Sequence, residues 1–331
     1  MRSARICSPG HADRACDIIA ESVIDEYLQR DPETAGRIRV SGGRGALFVS
    51  GIIASKADFD VGAIVTRTAA SLGVREHVEP FVSIESVPGS FILEATRTHR
   101  PISVMGYATR ETDSSLPLPV YLAKKIARRL DDLRQNNGEW FWLEPAFEVS
   151  VVEDAKTKAL HAYIACAHGQ QDVARVRERI VPVVQSLATN IRVSVNEHGL
   201  IRQNGLDADI GSSGVFDEPY GSSLPLPSSP IGCDPSNPQK FGTWLARGLA
   251  KRVLLRNEQA KAVMVQATYL PGDVIPSYLR VRDERGRDLL FDYDHETMTY
   301  AYLRKSLRPA LSTNAVHWGF AGEVELPWEQ A

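Results

Sequence analysis

One order of elements recurs three times along this chain, and it narrows the folds open to it: long helix, hairpin, second helix, strand. In the first pass, Ile18, Ile19, Val23, Ile24 and Leu28 fall near helical spacing, which predicts a helix over residues 13–29 that Asp31-Pro32 stops. An alternating stretch at 37–40, the turn Gly42-Gly43-Arg44-Gly45 and the run 46–53 read as a hairpin. A helix over 60–72 and a strand over 81–87 close the unit. The second pass places a helix over 120–135, strands over 147–152 and 160–166, a helix over 171–187 and a strand over 191–195. The third places a helix from about Asp234-Pro235-Ser236 to residue 255 and strands over 262–269 and 277–281. A helix over 296–307 and an extended tail through His317-Trp318-Gly319-Phe320 follow. The period is too long for a solenoid. It predicts an α+β fold of three similar lobes, each with a mostly antiparallel sheet and helices on one face.

In sequence order the lobes are 1–100, 101–200 and 201–331, and they can interleave in one compact unit. The runs Ala46-Leu47-Phe48-Val49 and Val149-Ser150-Val151-Val152 read as apolar on both faces, which predicts sheets covered on both sides and a substantial subunit interface.

Charge and cysteine usage limit the function classes. A net charge of −3 offers no basic surplus for nucleic acid. No apolar run approaches a membrane span, and no charged start followed by an apolar run suggests a signal peptide. The four cysteines, Cys7, Cys16, Cys166 and Cys233, form no C-x-x-C pair, which fits a reducing cytoplasm rather than a disulfide framework or a zinc site. Cys7 reads as a small buried apolar residue.

The chemistry-bearing stretch is Ser8-Pro9-Gly10-His11-Ala12-Asp13-Arg14, at the mouth of the first helix. A helix N-terminus presents unpaired N–H groups and a partial positive charge to anions. There His11 can donate to a phosphate oxygen and Asp13 can hold a hard cation, or the pair can simply cap the helix. His161 and His168 flank Cys166 but fit no standard metal spacing, so they read as sheet and loop residues. His317-Trp318 reads as core, and Trp140-Phe141-Trp142 as a buried aromatic anchor or a surface for stacking an adenine.

Three segments taken together carry a family resemblance. Gly10-His11-Ala12-Asp13-Arg14, Gly106-Tyr107-Ala108-Thr109-Arg110-Glu111-Thr112-Asp113 and Asp209-Ile210-Gly211-Ser212-Ser213-Gly214 occur in the order, and near the spacing, of motifs in S-adenosylmethionine synthetases. Asp234-Pro235-Ser236 and the C-terminal Gly319-Phe320 to Pro327-Trp328-Glu329 extend the match over nearly the whole chain. The resemblance implies three lobes about a pseudo-threefold axis, and a homodimer or dimer of dimers with sites between subunits. It implies a cytoplasmic transferase that joins ATP and L-methionine: the methionine sulfur attacks the ribose C5′, the triphosphate leaves, and it is then hydrolysed. It makes His11 a triphosphate contact, Asp13 a Mg2+ ligand, and Asp209 a catalytic residue that orients substrate. Ser213, Arg110 and Lys240 become substrate-binding candidates, with Arg14 a further basic residue near the motifs; no K+ is expected.

Other family positions are replaced. The family lysine of the second lobe becomes Glu148, and the Arg-Lys pair is absent where Gly214 runs into Val215-Phe216. Two further lysines become Cys233 and Asn237, a metal aspartate becomes Gln239 and a methionine-binding glutamate becomes Ile52. Residues around His99-Arg100-Pro101 replace a glycine-rich element, and the loop between Ser83 and Thr98 is shortened. A triphosphate closed into a site without counter-charge is costly. Three readings follow: adenosyl transfer to methionine or a similar thioether, use of preformed S-adenosylmethionine without triphosphate chemistry, or a non-catalytic subunit that pairs with another chain.

Overall fold

A computed structural model describes residues 1–88, 101–169, 172–216, 218–289, 294–306 and 308–330. His99 and Arg100 of the replaced glycine-rich element and most of the shortened loop lie outside the described residues. Eleven described strands form three sheets: β1 (Arg2–Cys7), β2 (Ala35–Gly43), β3 (Ala46–Ala54), β4 (Glu79–Ser86), β5 (Ile102–Thr109), β6 (Phe147–Glu153), β7 (Leu160–Cys166), β8 (Ile191–Val195), β9 (Gly211–Ser212), β10 (Ala262–Tyr269) and β11 (Tyr278–Asp283). The first sheet runs β4-β3-β2-β9, the second β1-β6-β7-β8 and the third β11-β10-β5. Pairing is antiparallel except for β3–β4 and β7–β8.

Each sheet carries one long helix. The helix α1 (Ala12–Arg30) packs on β2, with α2 (Val61–Ser71) beside it. The helix α3 (Leu118–Asn136) packs on β1 and β6, and α4 (Val173–Leu187) on β8. The helix α5 (Pro238–Arg256) packs on β5 and β10. Local chemistry sets the starts: Asp60, Asp172 and Asn237 each accept a backbone N–H from the first turn of the helix they precede, and Pro238 takes the first helical position. One apolar cluster lies under each sheet.

The strand just before each long helix joins another lobe's sheet. The strand β1 precedes α1 but pairs with β6; β5 precedes α3 but pairs with β10; β9 precedes α5 but pairs with β2. The sheets therefore cross the sequence-order boundaries at 100 and 200.

Two expectations for the third lobe are corrected. The helix expected over 296–307 is a 3₁₀ turn (His295–Met298) followed by the short α6 (Tyr300–Arg304). The tail expected to be extended through His317 is helical, α7 (Leu311–His317). Its first turn is supported from outside: the Asp25 carboxylate on α1 accepts from the Thr313 N–H at 2.8 Å and the Thr313 hydroxyl at 2.7 Å. Such a cap across two elements leaves no local sequence signature.

The apolar runs also resolve differently. Leu47 and Val49 are buried under helices, whereas Phe48 on the opposite face is exposed and stacks on the exposed Phe81, ring centroids 5.0 Å apart. Val149 and Val151 alternate in the same way with the half-buried Ser150 and Val152. Within one chain the sheets are covered on one face. Trp140 and Trp142 are buried and stacked at 5.3 Å, which makes them the aromatic anchor, while Phe141 projects outward.

Candidate functional site

The turn from β1 into α1 is bolted to the start of β6. The Ser8 N–H donates to the Phe147 carbonyl at 2.9 Å, and the Ser8 hydroxyl donates to the Pro145 carbonyl and accepts from the Phe147 N–H, both at 2.8 Å. Cys7 and Glu148 are consequently cross-strand partners on one sheet face. His11, the residue that starts α1, swings over them. One ligand atom from each of Cys7, His11 and Glu148 lies within 4.8 Å of the others.

Phe216 closes this group from above. Its ring stands edge-on to His11 with centroids 6.0 Å apart, and the Arg5 guanidinium lies 3.3 Å over its face. Arg5 Nε also faces the Glu148 carboxylate at 3.2 Å. Burial pushes His11 below the usual histidine range, although Asp13 and Glu148 pull the other way. Burial pushes the Cys7 thiol up to about 12.

The first turns of α1 hold the segment around β9. Asp13 Oδ1 accepts from the Ser212 N–H at 2.9 Å, and Asp17 Oδ1 accepts from the Gly214 N–H at 2.7 Å. Asp17 also pairs with Arg14 at 3.1 Å, and Arg14 donates to the Phe216 carbonyl at 3.0 Å. The approach is close enough to demand glycine at 211, where a Cβ would lie 2.2 Å from the Ala12 carbonyl oxygen.

The expected site residues divide. His11 and Asp13 lie together, with Nδ1 and Oδ2 4.0 Å apart. Asp209 is exposed at the rim, where its charge favours protonation of His11. Its Oδ1 accepts from the Ile210 N–H at 2.8 Å. Ser213 is close by but engaged: its hydroxyl accepts from the Val40 N–H at 3.0 Å and closes the β2–β9 pairing.

Lys240 and Arg110 are not at the mouth. Lys240 is sealed between α1 and α5 and paired with Glu21, their side chains 1% and 0% exposed. Glu21 also accepts from the Gly232 N–H at 2.7 Å. Arg110 caps the C-terminal end of α5 instead, donating to the carbonyls of Ala260 at 3.0 Å, Asn257 at 3.1 Å and Leu254. Arg14, the other basic candidate, is spent on Asp17 and Phe216 as above.

The sequence reading missed Arg5, Asp17, Glu21 and Phe216. One signal was available, because Asp13, Asp17 and Glu21 follow at i, i+4 and i+8 along the apolar stripe of α1. Cys7 is buried as expected, yet it sits inside the site. Among the described residues His161, His168 and Cys166 form no metal-sized group, and His161 Nε2 lies 2.9 Å from the Ser194 hydroxyl.

One metal contact fits Asp13. Its Oδ1 holds Ser212, while Oδ2 accepts no hydrogen bond among the described residues and belongs to a side chain 17% exposed. A single carboxylate suits Mg2+, which keeps waters and substrate oxygens as its other ligands. The position expected to supply a second carboxylate, Gln239, instead donates from Nε2 to the Ser229 carbonyl.

Comparison with known proteins bears on the family. Residues 2–87 match the family model described as S-adenosylmethionine synthetase, N-terminal domain, and residues 101–205 match its central domain. A protein of Petrotoga mobilis named S-adenosylmethionine synthase is 26% identical over 97% of this chain and 94% of its own length. Proteins of the same name from Aquifex aeolicus and Desulforudis audaxviator are 24% and 26% identical, over 100% and 97% of this chain and 96% and 93% of theirs.

Proposed function

Because the chain belongs to the S-adenosylmethionine synthetase family, we propose that it is a transferase of adenosyl–sulfonium chemistry, the family default being ATP and L-methionine to S-adenosylmethionine. The observation that carries this is that His11 immediately precedes α1 and Asp13 lies on its first turn, with Asp13 fixed by the Ser212 N–H and Asp209 at the rim. In this reading the buried, neutral His11 donates a ring N–H to a leaving phosphate oxygen, which needs no second proton. Asp209 orients the substrate. Asp13 Oδ2 would hold Mg2+, which would neutralise phosphate charge. The work is alignment of the sulfur with C5′ and stabilisation of the leaving group.

The exchange of β1, β5 and β9 between sheets supports the reading of three lobes about a pseudo-threefold axis. The exposed face carrying Phe48, Phe81 and Val82 supports a homodimer or dimer of dimers. Among the described residues no helix is long and apolar enough to cross a membrane.

A second reading rests on Glu148. It stands beside His11, while Arg14 and Lys240 are locked into internal ion pairs. Such a mouth suits a cation better than a triphosphate, which favours preformed S-adenosylmethionine as ligand, with one arm transferred or cleaved. Calorimetric titration separates the two. Binding of ATP with Mg2+, followed by methionine-dependent phosphate release, is expected of the family reaction. Binding of S-adenosylmethionine without ATP binding moves the function to the second reading. Silence in both experiments overturns both and leaves a non-catalytic subunit.

A further inference from the structure

The meeting of a thiol, an imidazole and a carboxylate at one point is not explained by adenosyl transfer. Cys7 faces Glu148 across the β1–β6 pairing, and a ring nitrogen of His11 completes a triad whose ligand atoms lie within 4.8 Å of one another. Tetrahedral zinc bonds of about 2.0–2.3 Å set ligand atoms some 3.5 Å apart, so the triad must contract by about an ångström. Glu148 can supply that movement, because it is half-buried and its Arg5 and Ser150 contacts are long, both at 3.2 Å.

Three further observations point to an ion. His11 Nδ1 is buried and makes no hydrogen bond among the described residues, its nearest acidic neighbour being Asp13 at 4.0 Å. The Ser150 hydroxyl donates to Glu148 Oε1 at 3.2 Å, the kind of outer contact that orients a ligating carboxylate. Glu148 also lines a cleft of about 400 Å³ on the outer face of the second sheet, with Ser150, Tyr163, Ser194, Asn196 and His198 among its walls, so an ion can approach the triad from the Glu148 side. Arg5 opposes a bound cation, but its guanidinium is held over Phe216; the Cys7 thiol would release its proton to solvent as the metal binds, and with Glu148 it then gives two anionic ligands against one guanidinium.

We propose that Cys7, His11 and Glu148 bind one divalent transition metal of borderline softness, of the zinc and cobalt class. The mixed sulfur, nitrogen and oxygen set selects such an ion over Mg2+, which prefers oxygen alone. Three protein ligands leave a fourth position for water or an incoming group. The site goes beyond the proposed function, and its readout needs neither ATP nor a sulfonium.

The experiment is titration of the metal-free, untagged full chain with Zn2+ against a chromophoric chelator, and with Co2+ by absorption spectroscopy. One ion per chain is expected, with a thiolate-to-cobalt charge-transfer band. Cys7→Ser should remove that band, and Glu148→Gln should weaken Zn2+ binding at least tenfold. Glu148→Gln keeps the test intact if the buried Cys7→Ser variant fails to fold. The proposal is overturned if the wild-type chain binds no stoichiometric Zn2+, if Co2+ binds without the band, or if Glu148→Gln binds Zn2+ as tightly as wild type.

Discussion

The inner flank of α1 and its N-terminal mouth treat charge in opposite ways. On the flank, Glu21 meets Lys240 and the Gly232 N–H, and Asp17 meets Arg14 and the Gly214 N–H. These titratable groups are out of water, and each has a salt-bridge partner. At the mouth, His11 Nδ1 lacks a hydrogen bond, and Asp13 Oδ2 accepts none among the described residues. A buried ion pair contributes little net stability but is expensive to break. An incompletely satisfied polar group is where a ligand can still be gained. The flank is therefore read as scaffold and the mouth as chemistry, although both draw on the same helix.

The largest effect should come from breaking the flank. Lys240→Met leaves the Glu21 carboxylate buried without its cation, and the expected loss is about 3–5 kcal/mol. Urea denaturation of the full chain reads it as a lower midpoint. A loss below about 1 kcal/mol would show that water reaches Glu21, and the contrast with the mouth would fall. The double variant Lys240→Met, Glu21→Leu should recover most of the loss, because no unpaired charge remains.

Asp13→Ala comes next and tests the border between the regions. It removes a charge-assisted hydrogen bond to the Ser212 N–H in a half-buried setting, so about 1.5–3 kcal/mol is expected. The β9 segment should loosen with it, read as faster amide exchange at Ser212. Unchanged exchange there would mean that the close packing of Gly211 on Ala12 holds the segment alone.

That border was hard to see in the sequence, for a physical reason. The long helices α1, α3 and α5 and the hairpin strands were legible because each buries one face and so repeats at its own period. The three strands that went unread are β1, β5 and β9, and they are the ones exchanged between lobes. Arg2–Cys7 is short and carries two arginines, Ile102–Thr109 is bound up with a motif, and Gly211–Ser212 is two residues long. What makes them strands is pairing with partners more than a hundred residues away. Without β1 in place, nothing sets Cys7 opposite Glu148, so the cluster at the mouth was invisible while each of its members was in view. Lys240 failed in the opposite way. Its motif position suggested substrate, but Glu21, one further turn along the apolar stripe from Asp17, had claimed it.

A smaller, pH-dependent effect comes from a half-buried histidine near α3. His317 ends α7, and burial holds its ring below the usual histidine range; Asp131 and Glu323 favour its charged form, while Arg128 and Arg14 disfavour it. A folded-state value lowered in this way means that the unfolded chain binds the proton more readily. The contribution is fully present above about pH 6.5 and is lost as pH falls through the lower folded value, at no more than about 1.4 kcal/mol per pH unit. The stability difference between wild type and His317→Gln should therefore move against wild type between pH 7.5 and pH 5. Parallel curves would place His317 in contact with water.

Glu148→Lys should change stability least and the mouth most. The side chain is 24% exposed and its partner Arg5 36%, so the lost ion pair is worth about 0–1 kcal/mol after solvent screening. The new ammonium would add repulsion from Arg5, which its flexible stem can relieve by turning into the cleft. Its effect on ligands should be large, because the charge beside His11 reverses. If the mouth is tuned to a cation, this variant should lose S-adenosylmethionine binding and gain ATP binding in the same calorimetric titrations. If it binds both as wild type does, Glu148 does not face the ligand, and the distinction between a sealed flank and a ligand-selecting mouth must be redrawn around Asp13 and Asp209.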